Sequence, residues 1–397
     1  MQRVRMASNQ SLVHKLGDSQ IKVTPKFKLV DYSCNIKDHL LELEESCLYK
    51  PLIPGLPDDI ALSCLLRLPV EFHSSGRSVC RRWCSLFGDM GRFFTLRKEM
   101  GFQDPWLFVF CFNKFSGKIQ WHVFDLVHLS WHAIPGMPWL EKVCPHGFRC
   151  VSVPGDGSVF VSGGPNSLVW KFEVRLNSWG VVKKMITPRA FFASGVIDGM
   201  VYVAGGNSSD GFELDSGEVM DPKDGLWRPI SDMGASMPCY DSAVLDGKLY
   251  VTEGWFWPFY VVPRGQVYDP KTDSWERMAM GLREGWTGSS VVMFGHLFVV
   301  SEHERTKLKV YDSRNDVWET VDGSPLPKQL CKPFAVNGYN NKIYVTGRNL
   351  DVAIGFIHRL HSNSTDKATN FSVRWQVVEA PPGLSDLTPT SAQILFA

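Results

Sequence analysis

Residues 247–275 read GKLYVTEGWFWPFYVVPRGQVYDPKTDSW. A turn glycine opens an alternating strand, KLYVT, that stops at Gly254. A second apolar strand, QVYD, leads into a polar Pro-Lys-Thr-Asp turn, and Trp275 opens a third. The pattern recurs in both directions. Trp131, Trp179, Trp227, Trp275, Trp318 and Trp375 are spaced by 48, 48, 48, 43 and 57 residues. VFDLVHLS, KFEVRLNS, VMDPKDGL, VYDPKTDS and VYDSRNDV precede the first five. Upstream lie GSVFVSGG, GMVYVAGG, GKLYVTEG, GHLFVVSE and NKIYVTGR, and before those FFASGVID, YDSAVLD, SSVVMF and PFAVNG. Each unit of about 48 residues thus holds four strands, a period that signals a repeat architecture.

The apolar strand ending in Gly-Gly, the Tyr-Asp strand and the Trp together resemble the kelch repeat. The resemblance covers 106–397 and implies an all-β fold, a six-bladed β-propeller. Its pattern weakens where Ser301-Glu302 replaces the Gly pair and in the irregular stretch before Trp375. The first unit begins at WLFVFCF without a first strand, and the chain ends in SAQILFA, which resembles the first strands. Residues 391–397 are therefore expected to complete blade one, which removes an open edge. The Trp residues, at equivalent points in every unit, are expected to pack between blades.

Residues 51–97 differ. Pro57 with Asp58 and Asp59 marks a helix start. Ile60, Leu62, Leu65, Leu66 and Leu68 follow at helical spacing, and Pro69 ends the helix. A second helix is expected from about Ser75 to Leu86, with Val79, Trp83 and Leu86 on one stripe and Gly76 weakening its start. So short a segment buries its apolar surface poorly without a partner. Leu56-Pro57-Asp58-Asp59-Ile60, Arg67-Leu68-Pro69 and Val79-Cys80-Arg81-Arg82-Trp83 resemble the F-box, and this all-α domain would precede the propeller through a linker, 98–105. Residues 1–30 carry a net charge of +5 and 31–50 one of −3. They are expected to form a disordered leader, within which 38–48 could form one amphipathic helix.

Composition narrows the function. Lys plus Arg is 42 and Asp plus Glu 41, which argues against a general nucleic-acid binder. No stretch has the roughly 18 apolar residues of a membrane span. Ten Cys without C-x-x-C spacing and no secretory leader read as reduced thiols in the cytosol or nucleus. No Ser-His-Asp set, P-loop or dinucleotide fingerprint appears. Cys80, Cys84 and His73 make a poor zinc set. Neither a metal nor another cofactor is expected.

An F-box followed by a kelch propeller, frequent in plants, implies a non-catalytic substrate adaptor of an SCF-type cullin–RING ubiquitin ligase. The F-box would dock a Skp-family adaptor, and through it cullin and the RING subunit, using Leu56, Pro57, Ile60, Leu65 and Leu68 with Val79 and Trp83 beside them. The propeller would hold a target protein on loops that follow a blade's second strand or join blades. Candidate contacts are Arg189, Tyr240, Trp255, Trp257, Tyr260, Arg283, Trp286, Glu302, Arg305 and Arg348, aromatic anchors and anion-binding arginines among them. The alternatives are a kelch scaffold without degradation and, by the resemblance of some kelch propellers, a copper-radical oxidase, for which no Tyr-Cys pairing stands out.

Overall fold

The computed structural model describes residues 50–396 apart from 89, 139–144, 154, 156, 165–166, 255–261, 303–305, 324 and 361–370. The expected leader, including 38–48, lies outside them. Strands β1 (Pro105–Asn113), β2 (Ile119–Asp125) and β3 (Ser130–Ala133) open the propeller. Blade 2 is β4 (Phe148–Val153), β5 (Ser158–Gly163), β6 (Val169–Glu173) and β7 (Ser178–Val182). Blade 3 is β8 (Ala193–Ile197), β9 (Met200–Ala204), β10 (Gly217–Met220) and β11 (Trp227–Ile230). Blade 4 is β12 (Asp241–Leu245), β13 (Lys248–Thr252), β14 (Gly265–Asp269) and β15 (Ser274–Arg277). Blade 5 is β16 (Gly288–Met293), β17 (His296–Ser301), β18 (Lys307–Asp312) and β19 (Val317–Thr320). Blade 6 is β20 (Ala335–Tyr339), β21 (Lys342–Thr346), β22 (Val352–Arg359) and β23 (Phe371–Val378). The last strand, β24 (Leu387–Phe396), returns to pair antiparallel with β1, from Pro105 opposite Phe396 to Asn113 opposite Leu387. The closing strand thus starts upstream of the expected 391, and a register shift between Phe110 and Cys111 takes up the extra residue. Six four-stranded antiparallel sheets result, the all-β six-bladed propeller that the repeat implied.

The repeat motif is legible in the bonds it makes. Asp125, Asp269 and Asp312 end third strands and Asp221 follows one, and each accepts the backbone N–H two residues on, at 2.7, 2.9, 2.9 and 3.0 Å in chain order. These Asx turns start the polar hairpin. The residue two before each of the first five Trp then takes positive φ: Leu129, Asn177, Gly225, Asp273 and Asp316. The Trp itself latches blades together. The indole N–H of Trp179 donates to Pro135 O (2.7 Å), Trp227 to Lys183 O (3.1 Å), Trp275 to Ser231 O (2.8 Å) and Trp318 to Leu282 O (3.0 Å). Each acceptor lies in the connection from the preceding blade, so one side chain packs between blades and pins the loop that joins them.

The innermost strands β4, β8, β12, β16, β20 and β24 surround a polar channel of about 400 Å³. Side chains tie neighbouring strands across it. Ser242 Oγ donates to Ser194 O and accepts from Ser194 N, Ser152 N donates to Gln393 Oε1, and Asn337 Nδ2 donates to Ala392 O.

The N-terminal domain folds as α1 (Asp58–Leu66), a 3-10 turn (Val70–Phe72), α2 (His73–Gly76), α3 (Arg81–Gly88) and α4 (Met90–Glu99). The single helix expected over Ser75–Leu86 is broken by a turn after Gly76. A Cβ on Gly76 would lie 2.6 Å from the Phe87 ring. The glycine that was expected only to weaken a helix thus lets α3 fold back onto α2. Helix α4 is an element that the sequence pattern does not announce.

Leu65, Leu66, Val70, Phe87, Phe93 and Phe94 share one apolar cluster with Trp106 and Phe108 of β1 and with Val174 after β6. The small domain therefore completes its core on the propeller. Arg97, buried, donates to Leu66 O, Leu68 O and Phe102 O at 2.5, 2.6 and 2.9 Å. It satisfies carbonyls left open at the end of α1 and holds the segment leading to β1. His73 sits among Phe87, Phe93 and Phe94, with Nε2 2.9 Å from Leu68 O.

Candidate docking surfaces

In an antiparallel blade, the first-to-second and third-to-fourth strand turns share one end. The second-to-third loops and the connections to the next blade share the other. The helical domain lies at the first end. Arg77 Nη2 is 3.4 Å from Arg175 O in the turn between β6 and β7, and the Arg175 guanidinium lies 5.8 Å from the Phe94 ring. Pro69, Val70 and Arg97 line a cleft with Trp106, Asp125, His128 and His132 of blade 1. Among the described residues, the second-to-third loops expected to hold a target emerge at the opposite end.

On the helical domain, Leu56, Pro57, Ile60 and Val79 are exposed, Ile60 by 48 % and Val79 by 61 %. Asp58 and Arg82 brace this surface with a 2.7 Å ion pair, and Arg82 also bonds Lys50 O. The Asp58 carboxyl is held below the usual range by its bonds to Arg82 and to Leu52 N. Trp83 is half-buried, and its indole N–H donates to Leu52 O at 2.7 Å. It anchors the segment before α1 more than it offers a contact. Leu68 is half-buried against the core. Leu65 requires a correction. It is 2 % exposed and faces inward beside Phe87 and Phe93, because helical periodicity puts it on the core side of α1, away from Ile60. Phe72, 54 % exposed, extends the outer apolar surface. It stands in the FHSSG stretch, where the chain departs from the F-box pattern and the motif marks no contact.

The propeller candidates separate similarly. Arg189 is overturned as a target contact. Its side chain is fully buried in a 2.7 Å pair with Glu218, and it also donates to Gly205 O and Ser216 O. Glu218 accepts from Ile186 N and Thr187 N as well. The pair fastens the connection between blades 2 and 3. Trp286 is overturned too: it is buried, and its indole N–H donates to Asp241 at 3.0 Å. Burial raises the Asp241 carboxyl above the usual range, although Ser290 N also bonds it. Arg283 is half-buried in helix α5 (Met280–Gly285).

Tyr240 lines the channel, and Glu302 meets its hydroxyl. Tyr240 O–H donates to Glu302 Oε1 at 3.2 Å. Burial of the phenol and the Glu302 charge push its pKa up, which keeps it a donor. Lys332 Nζ lies 3.9 Å from Glu302 Oε2. Arg348 is exposed, and its backbone N–H donates to Cys331 O, beside Lys332. Arg149 donates to Cys239 O and Tyr240 O at 2.9 and 3.3 Å, which fixes the Tyr240 backbone. Arg149 and Lys332 were not singled out from the sequence, since neither sits in a distinctive motif. Trp255, Trp257, Tyr260 and Arg305 lie outside the described residues.

Comparison with known proteins agrees with this architecture. The FKB95, Kelch-repeats domain family matches residues 130–347. An F-box/kelch-repeat protein of Arabidopsis thaliana is 57 % identical over 405 aligned residues, covering 100 % of both chains. The F-box protein AFR of the same plant is 37 % identical over 87 % of this chain and 93 % of its own. Another Arabidopsis F-box/kelch-repeat protein is 31 % identical over 77 % and 78 %. With an apolar helical domain seated on a six-bladed propeller and full-length similarity of this order, the chain belongs to the F-box/kelch-repeat family.

Proposed function

We propose that this chain is the substrate-recognition subunit of an SCF-type ubiquitin ligase. F-box proteins generally bind Skp-family adaptors, and here the surface for that contact is Leu56, Pro57, Ile60 and Val79, with Phe72 at its margin. The observation that carries the reading is their exposure on a domain whose other large apolar side chains, Phe72 apart, are buried or half-buried among the described residues. The free end of the propeller, opposite the helical domain, takes the target. The chain itself forms no covalent bond; it acts by holding target lysines near the charged conjugating enzyme.

Burial of one large aliphatic side chain contributes roughly 1.5–3 kcal/mol, so removing Ile60 lowers adaptor affinity by about ten- to a hundredfold. The test is a pull-down of the full chain with a Skp-family adaptor, wild type beside Ile60→Asp. Ile60 is exposed, so the variant keeps its fold, which circular dichroism checks. Adaptor retained by wild type and lost by Ile60→Asp supports the reading. Absence of binding by the wild type overturns it.

A further inference from the structure

One sector of the free end carries a distinctive combination of side chains. The loop between β9 and β10 projects as a tight turn: Ser208 N donates to Phe212 O at 2.8 Å, and Gly211 takes φ +83°. At its tip the Phe212 side chain is 73 % exposed. The neighbouring loop between β13 and β14 exposes Val262 by 49 %. The two loops are joined, because Arg264 donates to Glu213 through both Nη atoms (2.9 and 3.1 Å) and to Glu253 through Nε and Nη2 (2.9 and 2.6 Å). Arg264 Nη1 also reaches Ser236 O, and Met233 N bonds Asp215 O, which bring in the connection between blades 3 and 4.

Exposed apolar side chains mark interaction sites when they sit together within a polar rim. The rim here has one sign. Among the described residues of the β9–β10 and β13–β14 loops, Asp210, Glu213, Asp215 and Glu253 are the acids and Arg264 the one cation, its guanidinium already committed to Glu213 and Glu253. The chain as a whole is nearly neutral, so this sector departs from the molecular average.

We propose that the β9–β10 turn, together with Val262, Glu253 and Arg264 beside it, docks a target segment in which lysine or arginine side chains flank an apolar residue. The apolar residue packs on Phe212 and Val262, and the cations meet the carboxylates that Arg264 does not neutralise. This inference rests on the target-recognition reading and specifies its chemistry.

The test uses the full chain co-purified with its adaptor and two short synthetic peptides in fluorescence anisotropy. One alternates Lys with Leu or Phe; the other keeps the apolar residues and replaces every Lys with Glu. The Lys peptide is expected to bind, more weakly as salt rises. Phe212→Ser, and separately Asp210→Asn with Asp215→Asn, are expected to weaken it by about tenfold or more. All three positions are exposed, and retained adaptor reports that the variants fold. Equal or tighter binding of the Glu peptide, no binding of either, or variants that bind as wild type would overturn the proposal. Proteins trapped by the full chain that are lost on changing Tyr240 or Arg348, and kept on changing Phe212, would overturn this surface while leaving target recognition intact. A chain that traps no protein strikes both.

Discussion

Arg189 shows how far one side chain's role depends on its surroundings. An arginine in an inter-blade loop reads as an anion-binding contact, yet here it is sealed against Glu218 and two carbonyls. Replacing such a pair with fitted apolar groups is often neutral, but removing one partner strands a buried charge. Arg189→Ala is therefore expected to destabilise the propeller by about 3–5 kcal/mol, read as a lower urea midpoint. A midpoint unchanged from wild type would mean that water reaches Glu218. Adaptor binding, which lies at the other end of the molecule, is expected to persist wherever the variant remains folded.

At the scale of elements, the helical domain has a built-in sensitivity to acid. Burial among phenyl rings holds the His73 pKa down to about 4, against 6.5 for a free imidazole. Arg97, Arg77 and the Leu68 carbonyl also face it; the two cations push further down and the carbonyl opposes them. Below pH 6.5 the unfolded chain takes up a proton that the folded domain refuses until about pH 4. Stability from His73 is thus full above 6.5 and is lost as pH falls toward 4, by about 3 kcal/mol in all. Thermal unfolding at about pH 7.5 and about pH 5 should show a smaller drop in His73→Gln than in wild type. Equal drops would place the acid sensitivity elsewhere. The same domain owes its shape to Gly76 and Phe87, whose close approach turns what reads as one helix into two.

Across the whole molecule, two features join the parts. Strand β24 closes the ring, so the two ends of the propeller sequence share blade 1. Its loss would expose both β1 and the blade 6 face that β24 covers, where Asn337 bonds Ala392. Deleting 387–397 is expected to yield aggregated protein, read by size-exclusion chromatography, while a monomeric deletion product would show that five intact blades and one open blade suffice. The second feature is the cluster that runs from Leu65 and Phe93 into Trp106 and Phe108. It seats the F-box at one end of blades 1 and 2, leaving the loops with Tyr240, Arg348 and Phe212 at the other.

The amino-acid sequence by itself determined the blade count, the strand order within a blade and the two-domain plan. These follow from local chemistry repeated at a period: an Asx turn at Asp125, Asp221, Asp269 and Asp312, a positive-φ residue two places before five of the six Trp, and a Trp that packs between blades. It also marked the outer face of the F-box, since Ile60 and Val79 belong to a short motif. Which polar and aromatic side chains are free was decided only by tertiary structure. Arg189 and Trp286 found partners 29 and 45 residues away along the chain, Glu218 and Asp241, and no periodicity encodes such a meeting. Leu65 faces the core side of α1, and the cluster it joins there runs on into Trp106 and Phe108 of the propeller, a larger core than the small domain could build alone.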